Sequence, residues 1–323
     1  MRTVVIGAGL AGLTCAARLR AAGHDVLLLD KGRGAGGRAS TRRGEGVRFD
    51  HGATCVEPRA EAFASVVDGW VAAGVAAPWS GPVVDLRPGA CAPLPRPPSF
   101  VGVPGMSALL RHAGRGLEIR YRARASGLRH EAQGWALELE DGGWLGGFDR
   151  AALALPAEQA RALLETTDAD DLAGELARVR MQPCWTLLVH FARARELPWS
   201  RALPSSGPLA AITREHTKPG RSADPAWVVQ ATHAWSAAHL EATPETARAL
   251  LLEALEALAG PLAPVRAATV HRWRYAAAEP PLGVSHLLRA DGSLGVCGDW
   301  CLGDRLEDAY LSGDALGRAW GKG

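Results

Sequence analysis

The sequence predicts an α/β fold in which a doubly wound, parallel-sheet domain is interleaved with an α+β domain built on an antiparallel sheet. Three patterns lead there. The first thirty residues run from a short apolar stretch through a glycine-rich turn and an Ala- and Leu-rich stretch to a second apolar run. Residues 118–148 alternate polar and apolar positions around a turn. A late apolar run near residue 294, followed by a helical pattern, brings the chain back to the first domain.

Each element has its own signal. Thr3-Val4-Val5-Ile6 reads as a buried strand, Gly7-Ala8-Gly9-Leu10-Ala11-Gly12 follows at once, and Leu13 to Ala22 reads as a helix stopped by Gly23. Val26-Leu27-Leu28-Leu29-Asp30 is the next parallel strand, which completes an opening βαβ unit. Eight prolines between Pro78 and Pro104 impose an extended connection with edge strands, after which Met106 to Ala113 reads as a helix. Glu118 to Phe148 is expected to be antiparallel, with Trp135 to Glu140 alternating ahead of the Asp141-Gly142-Gly143 turn. Ala151 to Leu155 reads as a strand of the first sheet, halted by Pro156. Trp185 to Phe191 and Trp227 to Thr232 are strands of a second sheet, and Pro244 to Leu258 is a helix opening after Thr243. Leu294 to Asp299 is a strand ending in a turn, and a helix follows from about Glu307 to Trp320.

Composition narrows the class. The chain has 323 residues, 47% hydrophobic and 22% charged, which fits a folded protein and excludes disordered and fibrous classes. Lys+Arg number 36 against 34 Asp+Glu, too balanced for a protein that binds nucleic acid by counterion release. No apolar run approaches the roughly 20 residues of a membrane span. The apolar run from Thr3 to Ala17 carries three glycines, which argues against a secretory h-region. The scattered cysteines Cys15, Cys55, Cys91, Cys184, Cys297 and Cys301 form no zinc pattern and read as reduced thiols of a cytoplasmic protein. No metal is expected.

Gly7-x-Gly9-x-x-Gly12 lies between strand and helix, where each glycine has a mechanical task. The first makes the tight turn, the second admits a pyrophosphate to the backbone, and the third lets helix and sheet approach, while the helix N-terminus supplies positive potential. Asp30 ends the second strand, placed to accept ribose hydroxyls. These features specify a dinucleotide site without choosing between FAD and NAD.

The segment Lys31-Gly-Arg33-Gly-Ala-Gly36-Gly37-Arg38-Ala-Ser-Thr41 resembles the Gly-Gly-Arg stretch of the FAD-containing amine oxidase superfamily. A second match is Val296-Cys297-Gly298-Asp299-Trp300, with Arg305-Leu306-Glu307-Asp308 opening a helix. The resemblance implies that Gly7, Ala8, Gly9, Ala11, Gly12, Asp30, Lys31, Gly36, Gly37 and Arg38 hold the adenosine and pyrophosphate. It likewise implies that Gly298, Asp299, Arg305, Leu306 and Glu307 meet the ribityl chain and the flavin edge, where the helix dipole favours reduced flavin. Over essentially the whole chain the sequence is similar to bacterial renalases. Asp50-x-Gly52-Ala53, Gly105-Met106-Ser107, Pro183-x-Trp185, Ala231-Thr232-x-x-Trp235-Ser236, His271-Arg272-Trp273-x-Tyr275-Ala276 and Cys297-Gly-Asp-Trp-Cys301 carry that likeness. It implies a Rossmann-type FAD-binding domain (residues 1–60, 100–165 and 265–323), a substrate domain (61–99 and 166–264) that covers the flavin ring, and one noncovalent FAD. The implied activity is an oxidase that takes hydride from 2- or 6-dihydro isomers of NAD(P), releases NAD(P)+ and reduces O2 to hydrogen peroxide, as a monomer or homodimer.

Gly52, Ala53, Thr54 and Ala125 fall at positions beside the cofactor in this comparison. Renalases usually carry Gln-Tyr where this chain has Thr54-Cys55, and Glu-Gly where it has Glu307-Asp308. Ala125 is too small to inform. Trp185, His271, Trp273 and Tyr275 are the substrate-side candidates, the aromatics to sandwich a nicotinamide ring and His271 to polarise the site. On a strand, Arg272 and Arg274 must point away from the face that Trp273 presents. His51 reads as a surface residue, and Lys218-Pro219-x-Arg221 as a basic loop for substrate phosphates. Two alternatives stay open: an amine oxidase, although none of Lys31, Lys218 and Lys322 matches the lysine such enzymes carry beside the flavin, and a nonoxidative, redox-sensing flavin protein.

Overall fold

The computed structural model describes residues 1–321 and divides into two compact units. The first comprises residues 1–37, 110–181 and 277–323, and the second residues 38–109 and 182–276. The chain therefore passes between them four times.

The first unit is built on a six-stranded sheet. In spatial order its strands are Leu287–Leu288, Leu294–Val296, Arg150–Leu153, Arg2–Ile6, Asp25–Asp30 and Glu118–Tyr121. All adjacent pairs are parallel except the short edge strand Leu287–Leu288. Val4, Val5, Leu28, Leu29, Ala151, Ala152 and Leu153 are fully buried, as a parallel sheet covered on both faces requires. The helices Leu10–Ala21 and Leu306–Trp320 pack together. Their approach is set by two glycines one turn apart: a Cβ on Gly313 would lie 2.1 Å from the Ala11 carbonyl oxygen, and one on Gly317 2.6 Å from Arg18 Cβ. Arg18 then pairs with Asp314 across the same contact.

Glu118–Tyr121 corrects an expectation. The sequence placed all of residues 118–148 in an antiparallel unit, but this segment pairs in parallel with Asp25–Asp30. Only Ala125–Glu131, Gly134–Leu139 and Trp144–Phe148 form the antiparallel sheet.

The second unit is organised around a seven-stranded sheet ordered Val265–Ala278, Met181–Phe191, Ala226–Ala231, Leu209–Arg214, Arg201–Ala202, Val83–Arg87 and Ala90–Pro93. The helix Pro244–Ala259 covers one face. Thr243 caps it by accepting from the Thr246 amide, and Ala247, Leu251 and Leu255 are fully buried against Trp185, Leu187, Val189, Trp227 and Val229. The opposite face packs Leu188, Ala226 and Val228 against Val47 and Phe49. The period of two along Met181–Phe191 thus assigns odd residues to the helix side and even residues to the other.

The units differ in extent from the division expected from sequence. Residues 38–60, 100–109 and 265–276 belong to the second unit, because the hairpin Thr41–Arg43/Arg48–Asp50 packs on its sheet and Val265–Ala278 is that sheet's edge strand. Residues 166–181 belong to the first unit, where the helix Asp170–Ala177 packs against Ala157–Leu164. No helix among the described residues is long and apolar enough to cross a membrane.

Candidate cofactor and substrate site

The glycine fingerprint of the first unit behaves as its three tasks require. Gly7 has φ 110°, and a Cβ there would sit 2.3 Å from the Ala154 carbonyl oxygen, so turn and close approach both demand glycine. At Gly12 a Cβ would meet the Gly7 carbonyl oxygen at 1.9 Å, whereas at Gly9 it would meet nothing within 4 Å. Gly9 therefore borders open space at the N-terminus of Leu10–Ala21, and its own residue offers no side chain to cap the helix. First-turn amides aimed at such a space suit an anionic group.

Asp30 is engaged in a way the sequence did not foretell. Its carboxylate accepts from the Ala8 amide at 2.7 Å and from the Gly32 amide at 2.6 Å, tying the turn after the second strand to the glycine loop. A carboxylate has about four acceptor positions, so capacity for ribose hydroxyls is left. Lys31 donates to Gln159 at 3.3 Å, and burial, with Arg124 adding, lowers its amine below the usual lysine range. The Gly36 amide donates to the Ala8 carbonyl at 3.3 Å, and Gly37, at φ 49°, lies against Gly9 with 3.6 Å from its would-be Cβ to the Gly9 Cα. Ala11 backs onto Gly313.

At the other end of the same unit, the Gly298 amide donates to Ser312 Oγ at 3.0 Å, and Asp299 opens a single 3-10 turn and is buried. Arg305 and Leu306 begin the last helix, and Glu307 is buried in its first turn. Asp308, the departure from the Glu-Gly pattern, turns back to accept from the Arg305 amide at 3.0 Å and caps its own helix. Burial raises its carboxyl above the usual range, with Asp304 and Glu307 adding to that effect. Ala125 lies at a register shift in the strand Ala125–Glu131 and carries no side-chain function. The open space at Gly9, the uncapped helix start and the carboxylate at the strand end fit a dinucleotide such as FAD.

The second unit holds the remaining candidates, and it does not bring all four aromatic and imidazole residues together. Trp273 donates its indole N–H to the His51 carbonyl at 2.8 Å. The His271 ring stands edge-on to Trp273 and His51, with centroids 4.2 and 4.9 Å away. Burial lowers the His51 imidazole to about 4, with His271 and Arg42 adding, and burial and Arg42 lower His271 in the same direction. Tyr275 shares their strand parity. Arg272 and Arg274 lie on the opposite side, where both pair with Glu241. Trp185 is there too: the Arg272 guanidinium sits 5.3 Å over its ring, its indole donates to the His239 carbonyl at 2.9 Å, and it is 2% exposed in the core under Pro244–Ala259. Trp185 and Trp273 therefore cannot flank one substrate ring, and Trp185 leaves the candidate set as a packing residue.

The strap Asp50–Thr54 is pinned along its length. The Ala53 amide donates to the Arg38 carbonyl at 2.9 Å, Gln230 donates to the Gly52 carbonyl at 3.0 Å, and a Cβ on Gly52 would lie 1.9 Å from the Arg38 carbonyl oxygen. The Arg38 guanidinium donates to the Ala276 carbonyl at 3.1 Å. Thr54 is buried. His51, read as a surface residue, is buried in the ring cluster just described.

Sequence reasoning also misread Lys218 and Arg221. Neither is an exposed phosphate ligand. Lys218 donates to Asp50 at 3.0 Å and Glu215 at 2.5 Å, Arg221 pairs with both carboxylates, and all four side chains are at most 2% exposed. Burial works to raise Asp50, yet Lys218 and Arg221, with the Thr41 hydroxyl and Met106 amide, hold it below the usual carboxylate range. Glu215 goes the other way, burial lifting it to about 7 against the pull of Lys218. Lys218 and Arg221 each reach both carboxylates, so the network fixes the strap and leaves neither cation without an acidic partner. The Lys218-x-x-Arg221 spacing was visible; its acidic partners at 50 and 215 were not, because only the fold joins them.

A Rossmann-like NAD(P)-binding domain model matches residues 5–69, and the flavin containing amine oxidoreductase model matches residues 89–315. The 4,4'-diapophytoene desaturase of Staphylococcus aureus (strain Newman) is 43% identical over 56 residues, 17% of this chain, and that of Staphylococcus haemolyticus (strain JCSC1435) is 46% identical over a stretch of the same length. The match spans 11% of those curated relatives' own length. Among solved structures, cyclohexylamine oxidase from Brevibacterium oxydans IH-35A superposes with a TM-score of 0.78 at 13% identity, covering 99% of this chain and 98% of that one. A putrescine oxidase bound to putrescine does so with a TM-score of 0.73 at 12% identity, covering 99% of both chains. These likenesses carry the fold alone. The family match, extending over more than half of the sequence, carries membership: the chain belongs to the flavin containing amine oxidoreductase family.

Proposed function

We propose that this protein is an FAD-dependent oxidase of renalase type. It takes hydride from the 2- or 6-dihydro isomers of NAD(P), releases NAD(P)+ and delivers the electrons to O2 as hydrogen peroxide. Bound FAD would supply the hydride acceptance and the transfer to oxygen. A dihydropyridine becomes aromatic on losing hydride from carbon and surrenders no proton first, so its site needs a flat wall and correct placement more than a base. The observation that carries the reading is the cluster of Trp273, His271 and His51: one indole face beside two imidazoles held neutral, of which His51, at about 4, is a poor acceptor for an ammonium proton. Lys218 supports the same side, since it is fully committed to Asp50 and Glu215.

In this reading Gly7, Ala8, Gly9, Gly12, Asp30, Gly36 and Gly37 hold the dinucleotide and Gly298, Asp299 and Glu307 its flavin half. The FAD is noncovalent. A hydrogen bond with Cys15, then burial, pushes the Cys297 thiol up, and burial pushes Cys301 up to about 12, leaving both as unreactive thiols. The six free thiols accord with a cytoplasmic site of action.

The family match favours a second reading, an amine oxidase. Incubation in air with the isomer mixture from chemically reduced NAD+ separates the two. Equimolar NAD+ and hydrogen peroxide are expected, with none from ordinary 4-dihydro NADH. Peroxide from polyamines or arylamines, with none from the isomers, selects the amine oxidase, and a flavin-loaded protein inert to all donors leaves only a nonoxidative role.

A further inference from the structure

The strap that begins at Asp50 ends beside a second charged cluster in the same unit, and this one is not balanced. Arg201 donates to Glu57 Oε1 at 3.0 Å and to Cys55 Sγ at 3.3 Å. Ser99, a buried hydroxyl, lies 3.0 Å from the Pro97 carbonyl and 3.3 Å from the same Glu57 oxygen, either of which can take its one proton, and Arg96 reaches Ser99 Oγ at 3.5 Å. The Arg96 guanidinium also donates to the Gly81 carbonyl and lies 5.1 Å over the Trp79 ring. Arg201 thus pairs with the one carboxylate directly, and Arg96 approaches it only through Ser99. Among the described residues no second acidic side chain pairs with either of them. Burial raises the Cys55 thiol, so it stays neutral and adds no compensating charge.

Two donors are left over. Arg201 Nε and Arg96 Nη2 are shielded from solvent and have no acceptor within hydrogen-bond reach among the described residues. A shielded, unpaired N–H on a cation is costly, and such groups are normally satisfied. The network of Lys218, Arg221, Asp50 and Glu215 makes the contrast plain, since there each cation pairs with two carboxylates. Excess positive charge with spare guanidinium donors matches an oxyanion, because phosphoryl and carboxylate oxygens take the forked N–H groups of arginine.

We propose that Arg96 and Arg201, with Ser99 beside them, form an oxyanion-recognising site for the substrate. Resting on the reading above, the oxyanion is the pyrophosphate of the dihydronicotinamide dinucleotide. Glu57 orients Arg201 and competes with the incoming anion for it. Cys55, a small neutral thiol against Arg201, adds no carboxylate to compete for it.

The test is calorimetric titration of the flavin-loaded protein, whose own dinucleotide site is filled, with sodium pyrophosphate and separately with sodium acetate at constant ionic strength. Saturable one-to-one binding of pyrophosphate is expected, with acetate at least tenfold weaker. Arg96→Gln, a partly exposed position, should weaken pyrophosphate binding at least tenfold with the flavin spectrum unchanged. Arg201→Lys should weaken it less, and Glu57→Gln should tighten it. Absence of saturable pyrophosphate binding, equal affinity in Arg96→Gln, or acetate binding as tightly as pyrophosphate would overturn the proposal. Flavin bleaching by the dihydro isomers is read separately. Bleaching without pyrophosphate binding defeats this site and spares the redox reading, and pyrophosphate binding without bleaching does the reverse.

Discussion

Gly9 and Gly12 stand three residues apart, yet a methyl group added at each meets opposite surroundings. At Gly12 it strikes the Gly7 carbonyl oxygen at 1.9 Å, and at Gly9 it enters open space. Gly12→Ala is therefore expected to cost about 2 kcal/mol in urea unfolding, the scale of overpacking a close backbone contact. Gly9→Ala should keep the stability of the parent and lose FAD affinity at least tenfold, measured by flavin retention on dialysis. His51 gives a prediction of a different kind. Burial holds its imidazole at about 4 when folded, against an ordinary value of about 6.5. Above pH 6.5 the ring is neutral in both states. As pH falls through 6.5 toward 4 the unfolded chain takes up the proton first, so stability falls, by on the order of 3 kcal/mol at the acid end. His51→Gln should flatten that limb of a stability-against-pH curve. The glycines were legible in the sequence because their spacing between strand and helix is local, whereas the burial of His51 depends on Trp273 and His271, more than 200 residues away, and local polarity pointed to the surface.

At the scale of elements, the strand Val265–Ala278 sorts the aromatic and imidazole candidates by face. Its alternation puts His271, Trp273 and Tyr275 on one face, and Arg272 and Arg274 on the other with Glu241. That alternation was readable in advance. The position of Trp185 was not, since it sits on a neighbouring strand and its face follows from the helix Pro244–Ala259 packing there. Trp185→Phe removes the hydrogen bond to the His239 carbonyl and is expected to cost about 1 kcal/mol while leaving the rate of flavin reduction within twofold. Trp273→Phe, on the other face, should slow flavin reduction at least tenfold. Stopped-flow reduction together with thermal unfolding separates the two effects. Glu118–Tyr121 teaches a related lesson: a four-residue run of alternating polarity is equally at home on the edge of a parallel sheet, and only pairing with Asp25–Asp30 fixes its direction.

At the scale of the whole molecule, the interleaved architecture was legible because both ends of the chain carry strand–turn–helix signals. The exact seams were not. Residues 38–60 and 265–276 follow or precede nucleotide-binding motifs in sequence, yet their apolar side chains and strand pairings belong to the second unit. The family match assigns the chain to the flavin containing amine oxidoreductases, and the hydride donor is what chemistry decides. The decisive measurement is the anaerobic visible spectrum of the purified protein before and after rapid mixing with the 2- and 6-dihydro isomers of NAD. The expected result is an oxidised-flavin band that bleaches at once with the isomers, does not respond to 4-dihydro NADH, and returns when oxygen is admitted. A flavin band that persists unchanged in the presence of the isomers would contradict the proposed activity.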